Sequence, residues 1–157
     1  MAELRISVEP DASAADRREV EEGLIAYNAE RGDLRVIPPI TVLLRDSTGT
    51  IQGGVLGAAI YNWMYVDVLW VADAHRGAGH GSRLLAAAEA EAVRIGCRAV
   101  HLDTFGFQAR PFYEKQGYRV FGELPDYPHG QTRYYLWKSL VEHAPGVSTI
   151  RLDARTG

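Results

Sequence analysis

One cysteine in 157 residues, Cys97, leaves nothing for a disulfide framework or a multi-cysteine zinc site. Basic residues are not in excess: 17 Lys and Arg stand against 20 Asp and Glu, a net charge of −3. A general nucleic-acid binder must neutralise many phosphates, so this balance argues against one, and equally against attraction to an anionic membrane surface. No apolar run reaches bilayer-spanning length. Residues 1–10 (MAELRISVEP) alternate and carry charge, unlike the apolar core of a signal peptide. Internal repeats and low-complexity tracts are also missing. What remains is an ordinary globular composition, 46% hydrophobic and 24% charged, in a length that suits one self-sufficient core. The expectation is a cytoplasmic, reduced protein with one domain over residues 1–140 and a C-terminal tail over 141–157 that lacks clear periodicity.

The apolar pattern differs between the two halves of the chain. Residues 4–8 (LRISV) alternate as a half-buried strand does. Asp11 and Ser13 offer caps for a helix over 14–30, where Val20, Leu24 and Tyr27 recur at helical spacing, ended by Gly32 and Asp33. Pro38 and Pro39 preclude continuation, and residues 40–45 (ITVLLR) predict a strand. After a turn at 46–49 (DSTG), residues 51–61 return as the second arm of a hairpin. Gly53, Gly54 and Gly57 weaken that arm unless something approaches its backbone closely. A further turn at Asn62 leads to a strand over 64–71 (MYVDVLWV). Beyond Ala72 come a glycine-rich loop at 73–81 and an Ala-rich helix at 82–95 with Leu84, Leu85 and Val93 in the core, stopped by Gly96. The strand over 98–105 (RAVHLDTF) follows a helical crossover and so lies parallel to 64–71. A short helix at 108–116 and a strand pair, 118–123 and 133–138, around the loop 124–132 complete the chain.

The segment from Val71 to Leu85, VADAHRGAGHGSRLL, is where chemistry concentrates. Gly77, Gly79 and Gly81 let a backbone come near a ligand, and the N–H groups at the following helix start form a site for a diphosphate. It is not a P-loop, because Gly81-Ser82-Arg83 lacks the Gly-Lys-Ser/Thr ending. A dinucleotide-binding fingerprint needs glycine where Ser82 stands, and too little chain follows Asp103 for the remaining βαβ units.

With Arg76, the loop reads Arg76-Gly77-Ala78-Gly79-His80-Gly81 and resembles the Arg/Gln-x-x-Gly-x-Gly/Ala motif of the GNAT superfamily of acyl-CoA-dependent N-acetyltransferases. The segment from Ala109 to Tyr118 (ARPFYEKQGY) resembles that family's A-x-x-F-Y-E-K-x-G-F/Y helix-to-strand segment, and the likeness extends over residues 4–140. Gly106 stands where the family often carries Asn, with Gln108 close by, and His80 where an aliphatic residue is common. The resemblance implies an α/β (α+β) fold: a single GNAT-type domain whose mixed, mostly antiparallel central sheet is flanked by helices. It also implies that the sheet is splayed between its fourth and fifth strands, 64–71 and 98–105.

It further implies acetyl-CoA as cofactor, a small-molecule or peptide primary amine as acceptor, and direct attack in a ternary complex. Backbone groups of Leu69 and Val71, beside Trp70, would line the pantetheine. The loop from Arg76 through Gly77, Ala78, Gly79, His80 and Gly81 to Ser82 would hold the diphosphate, with Gln108 and Phe112 nearby. Tyr113 matches the family's proton donor to the leaving sulfur. Asp67, placed by strand alternation on one face with Leu69 and Val71, is the candidate base, as an acid on that strand often is in the family, with Asp103 or a water as competitors. Tyr65, Asp103 and Tyr127 are the candidate acceptor-binding residues, aromatics and carboxylates that suit a cationic amine. Homodimers are common in families of this kind. His101 and Cys97 read as scaffold, Arg83 and Arg94 as a solvated face, with Arg83 alternatively in reach of a phosphate, and His75 with His80 do not make a metal site. The alternatives beside this reading are an antibiotic-modifying (aminoglycoside-type) acetyltransferase, a non-catalytic acyl-CoA sensor and, disfavoured by topology, a dinucleotide-binding module.

Overall fold

The computed structural model describes residues 4–32 and 39–141. The chain divides into two compact units, Met1–Arg35 and Val36–Gly157. The first holds one helix, α1 (Ala14–Ala29), close to the predicted span. Its start is a capping box: the Asp16 N–H donates to the Ser13 hydroxyl, and the Ser13 N–H donates to the Asp16 carboxylate. The Ser13 hydroxyl also donates to the Asp16 carboxylate at 2.6 Å, and that bond, with the one from the Ser13 N–H, holds the carboxyl below its ordinary pKa. The predicted strand at 4–8 does not form. Leu4, Ile6 and Val8 are exposed in irregular chain, because alternation alone supplies no ladder partner. Asp33, Pro38 and the tail over 142–157 lie outside the described residues.

The second unit is a six-stranded mixed sheet in the order β1-β2-β3-β4-β6-β5. β1 (Ile40–Arg45), β2 (Ile51–Ile60) and β3 (Trp63–Val71) form an antiparallel meander within a residue of the sequence reading. The helix α2 (His80–Arg94) then crosses over to β4 (Ala99–Phe105), which runs parallel to β3 as expected. After α3 (Arg110–Lys115), β5 (Arg119–Pro125) and β6 (Thr132–Ser139) close the sheet as an antiparallel pair, β6 lying against β4.

The core lies between α2 and one face of the sheet, where Val55, Met64, Val100, Leu102 and Leu136 are buried under Leu84, Leu85, Ala88 and Ala92. At about 100° per residue those four helical positions cover an arc of about 100°. Val93 falls about 80° beyond that arc. It is 49% exposed, which corrects its assignment to the core. The hairpin glycines meet the condition the sequence set: a Cβ at Gly53 would sit 2.7 Å from the Trp70 carbonyl oxygen, and one at Gly54 2.8 Å from that of Val42.

α2 is tied to the far side of the sheet by one partly buried cluster. Glu89 accepts the Tyr118 hydroxyl at 2.8 Å and pairs with the Lys138 ammonium at 2.7 Å. Burial and that carboxylate drive the Tyr118 phenol well above its ordinary pKa.

Candidate active site

β3 and β4 run side by side only over four pairs, from Trp63↔Ala99 to Val66↔Leu102, and then part. Parallel pairing stops where β3 gains a residue. Its ladder with β2 steps from Gly57↔Val66 to Leu56↔Val68, so Asp67 is unpaired and forms a bulge, which bends and twists the strand that carries it. Beyond the bulge, the Ala72 N–H donates to the Gln52 carbonyl at 2.8 Å. Antiparallel alternation then turns the main-chain groups of Leu69 and Val71 away from β2, into the gap. The sheet is therefore splayed where expected, between the third and fourth strands actually formed.

The bulge corrects one inference from simple alternation, that Asp67 shares a face with Leu69 and Val71. The extra residue shifts parity, so Leu69 and Val71 join Met64 and Val66 in packing on the core, and Trp70 is exposed. Asp67 instead lines a shallow cavity of about 510 Å³ with Tyr65, Thr41, Leu56 and Ala58. Among the described residues its carboxylate makes no hydrogen bond.

Past β3 the chain makes a short 3-10 turn, Asp73–His75, and enters the glycine loop. Arg76 is held there by two contacts, Nε donating to the Val71 carbonyl at 2.9 Å and the guanidinium pairing with Asp73 at 2.8 Å. Gly77 and Gly79 have φ of +75° and +77°, a left-handed conformation that favours glycine, with exposed Ala78 between them. Gly79 is the N-cap of α2, which starts two residues inside the predicted loop. It has no side chain to cap with, so the first-turn N–H groups of His80, Gly81 and Ser82 are open to an anion at the positive end of a 15-residue helix. That donor set fits a diphosphate.

α3 adjoins this turn. Phe112 lies 3.5 Å from the position a Gly81 Cβ would take, and the Gln116 side-chain amide donates to the Ser82 hydroxyl at 3.0 Å. His80 is half-buried, edge-on to His75 at 6.3 Å. Among the described residues no group of three His, Cys, Asp or Glu side chains could hold a metal.

Tyr113 sits on α3 between Phe112 and Tyr118, with ring centroids at 5.1 and 5.7 Å, and is 7% exposed. Its hydroxyl has no hydrogen-bond partner among the described residues. Since no fully enclosed side-chain nitrogen or oxygen there lacks a partner, this oxygen keeps a contact with solvent. Burial, with the Asp103 charge adding, pushes the phenol up to about 12. Gln108 is committed elsewhere: its side-chain oxygen accepts the Phe105 N–H at 3.0 Å and the Thr104 hydroxyl at 3.2 Å, pinning the end of β4. Only its amide nitrogen is left to reach a ligand.

The three candidate acceptor residues come together through a fourth. The Tyr65 hydroxyl donates to Asp103 at 3.0 Å, Arg133 Nε donates to the other Asp103 oxygen at 2.7 Å, and a terminal nitrogen of Arg133 donates to the Tyr127 hydroxyl at 2.9 Å. The rings of Phe105, Tyr127 and Tyr135 surround the guanidinium at 5.0–5.6 Å. Arg133 escaped the sequence reading, because its meeting with Asp103 depends on the β4–β6 register, which sets Arg133 opposite Phe105. Burial raises the Tyr65 pKa, and its bond to Asp103 adds to the shift. His101 is wedged against the Tyr65 and Trp63 rings, and burial lowers its pKa, so it is a neutral scaffold imidazole at pH 7. Burial likewise raises the Cys97 thiol, in keeping with an inert side chain.

Comparison with known proteins agrees with this geometry. The model of the acetyltransferase (GNAT) family matches residues 6–118. A blasticidin-S acetyltransferase from Streptomyces morookaense is 46% identical over 93 residues, 59% of this chain and 68% of that protein. An acetyltransferase from Agrobacterium fabrum is 32% identical over 127 residues, covering 81% and 93% of the two chains. The crystal structure of an acetyltransferase from Bacillus cereus superposes with a TM-score of 0.78 at 31% identity, covering 85% of this chain and 97% of that one. The splayed sheet, the glycine loop and these matches have one reading: the chain belongs to the GNAT family of acetyltransferases.

Proposed function

We propose that the chain transfers an acetyl group from acetyl-CoA to a primary amine by direct attack within a ternary complex. The observation that carries this reading is the splay of β3 from β4, with the main-chain groups of Leu69 and the N–H of Val71 open on one wall, the Val71 carbonyl being held by Arg76. The uncapped N-terminus of α2 lies at the end of the β3 wall, and α3, which carries Tyr113, packs its Phe112 against that turn. The first-turn N–H groups of α2 bind the diphosphate, and the exposed main-chain groups of β3 orient the pantetheine arm. Bound there, acetyl-CoA supplies an activated thioester carbonyl. Tyr113, protonated at neutral pH, holds the proton that the departing sulfur needs.

Asp67 takes the proton of the attacking ammonium. Its carboxylate is exposed and unengaged among the described residues, whereas both Asp103 oxygens are committed to Tyr65 and Arg133. The relative named for blasticidin S favours a narrower reading, that the acceptor is the amine of an antibiotic of that kind.

Side-by-side calorimetry with acetyl-CoA, CoA and NAD, followed by thiol detection with an amine panel that includes blasticidin S, tests the proposal. Binding of acetyl-CoA and CoA but not NAD, with thiol release on adding an amine, is the expected result. CoA binding without thiol release from any amine would leave a sensor in place of an enzyme.

A further inference from the structure

The acceptor side of the gap carries an unusual balance of charge against ring surface. The charged groups acting on the Tyr65 hydroxyl are Asp103, Asp67 and Arg133. Two of these cancel, because Arg133 and Asp103 form a pair with side chains 22% and 14% exposed. The donor positions of Arg133 that face the network go to Asp103 and Tyr127, so it offers no cation to an acceptor. Among the described residues one uncompensated carboxylate remains, that of Asp67, enough for the single ammonium that is to react.

The rest of the cavity that Asp67 lines is uncharged, walled by Ile40, Thr41, Leu56 and Ala58, and ring surface begins at Tyr65 and continues beyond the Asp103–Arg133 pair. Tyr65 lines the cavity beside Asp67. Phe105 stacks on Phe107 with ring planes 5° apart, and Tyr127 stands edge-on to Phe105. Phe107 is exposed, so its outer face is available to a flat group. A polycation would bring further ammonium groups to a wall where the described residues offer no second free anion, and would lose hydration without compensation.

We propose that the acceptor is an amine with one positive charge on a flat, ring-bearing body, and that Arg133 sets this preference by neutralising Asp103. The inference rests on the amine-acetyltransferase reading of the same gap but is tested by binding, so the two can fail separately. The probes are phenethylamine, a single ammonium on a ring, and spermidine, a flexible trication. Their dissociation constants are measured by calorimetry on the CoA-saturated protein at fixed ionic strength. The wild-type protein should bind phenethylamine more tightly.

Arg133→Gln uncovers the Asp103 carboxylate and should move the affinity ratio toward spermidine by about tenfold, the effect of one further charge at short range in a partly solvated site. Arg133→Lys keeps the charge and should leave the ratio within about twofold of wild type, although the planar fork is lost. Asp103→Asn provides the same test in the opposite sense, and remains available if Arg133→Gln fails to fold: an unpaired guanidinium should weaken spermidine more than phenethylamine. Tighter spermidine binding by the wild-type protein overturns the inference, as does an identical ratio in wild type, Arg133→Gln and Asp103→Asn. Failure of thiol release with any amine would overturn the catalytic reading and leave this selectivity standing.

Discussion

Replacing Tyr113 by Phe removes one oxygen atom and little else. The ring stays edge-on between Phe112 and Tyr118, and the hydroxyl has no protein partner to strand among the described residues. The fold should therefore keep its stability to within about 1 kcal/mol, and affinity for acetyl-CoA should persist. The effect on rate follows from the phenol's position at about 12. A thiol ordinarily titrates near 8.5, so handing this proton to a fully formed thiolate would be uphill by about 3.5 pKa units, or about 5 kcal/mol.

The transfer is tolerable only if the proton moves while the carbon–sulfur bond is still breaking, so the proposed role of Tyr113 is that of a general acid and not a pre-equilibrium donor. Loss of such a group should lower kcat by about ten- to a thousandfold. The sign of the shift gives the pH signature. Because the pKa is raised, the competent protonated form persists through neutral pH up to the region of 12, and no alkaline fall in kcat before about pH 11 belongs to this residue. Stopped-assay thiol detection over pH 6–10, on wild type and Tyr113→Phe, reads both quantities. Equal kcat in the two proteins would remove the proton-donor role. A wild-type decline centred between pH 8 and 9 that vanished in the variant would refute the raised pKa.

Three further outcomes are expected. Gly79→Ala forces a side chain into a φ of +77°, at about 1–2 kcal/mol, and alters the helix start proposed to hold the diphosphate, so calorimetry should find CoA affinity reduced at least about tenfold; unchanged affinity would count against the loop as the binding site. Asp67→Asn should lower kcat/KM and flatten the acidic limb of its pH profile, whereas an unaltered limb would transfer the base to Asp103 or to water. Glu89→Gln leaves the Lys138 ammonium without its carboxylate and weakens the bond to Tyr118, for which urea unfolding should report a loss of about 1–3 kcal/mol; a loss below about 0.5 kcal/mol would mean that the cluster adds little.

Where local chemistry decides the structure, the sequence was legible. The bounds of β1 match residue for residue, and α1, α2, β2 and β3 match within one or two. Their strong punctuation, Ser13, the Pro pair, the turn at 46–49 and Gly96, acts within a few residues of itself. Residues 4–8 had the right alternation and no partner, and alternation describes a face without creating a ladder. The motifs located the glycine loop and Tyr113, because helix starts and helix faces follow from short spacings. What stayed hidden depends on register. A single inserted residue at Asp67 reversed the parity argument applied to it, and Arg133 joined Asp103 only through pairings between strands some thirty residues apart.

Four pairs of residues are all that join β3 to β4, so the sheet is built as two three-stranded leaves sharing a short spine. Each leaf is laddered within itself apart from local bulges, and the unpaired edges face each other across the wedge. A ligand that bonds to the main chain of Leu69 and Val71 takes the part of the missing ladder, and one that also touches the β4 side braces the leaves against opening. Occupancy is then a mechanical property as much as a chemical one. The amides at the open ends of β3 and β4 should exchange slowly with solvent when the gap is filled and faster when it is empty, while those at the spine barely notice.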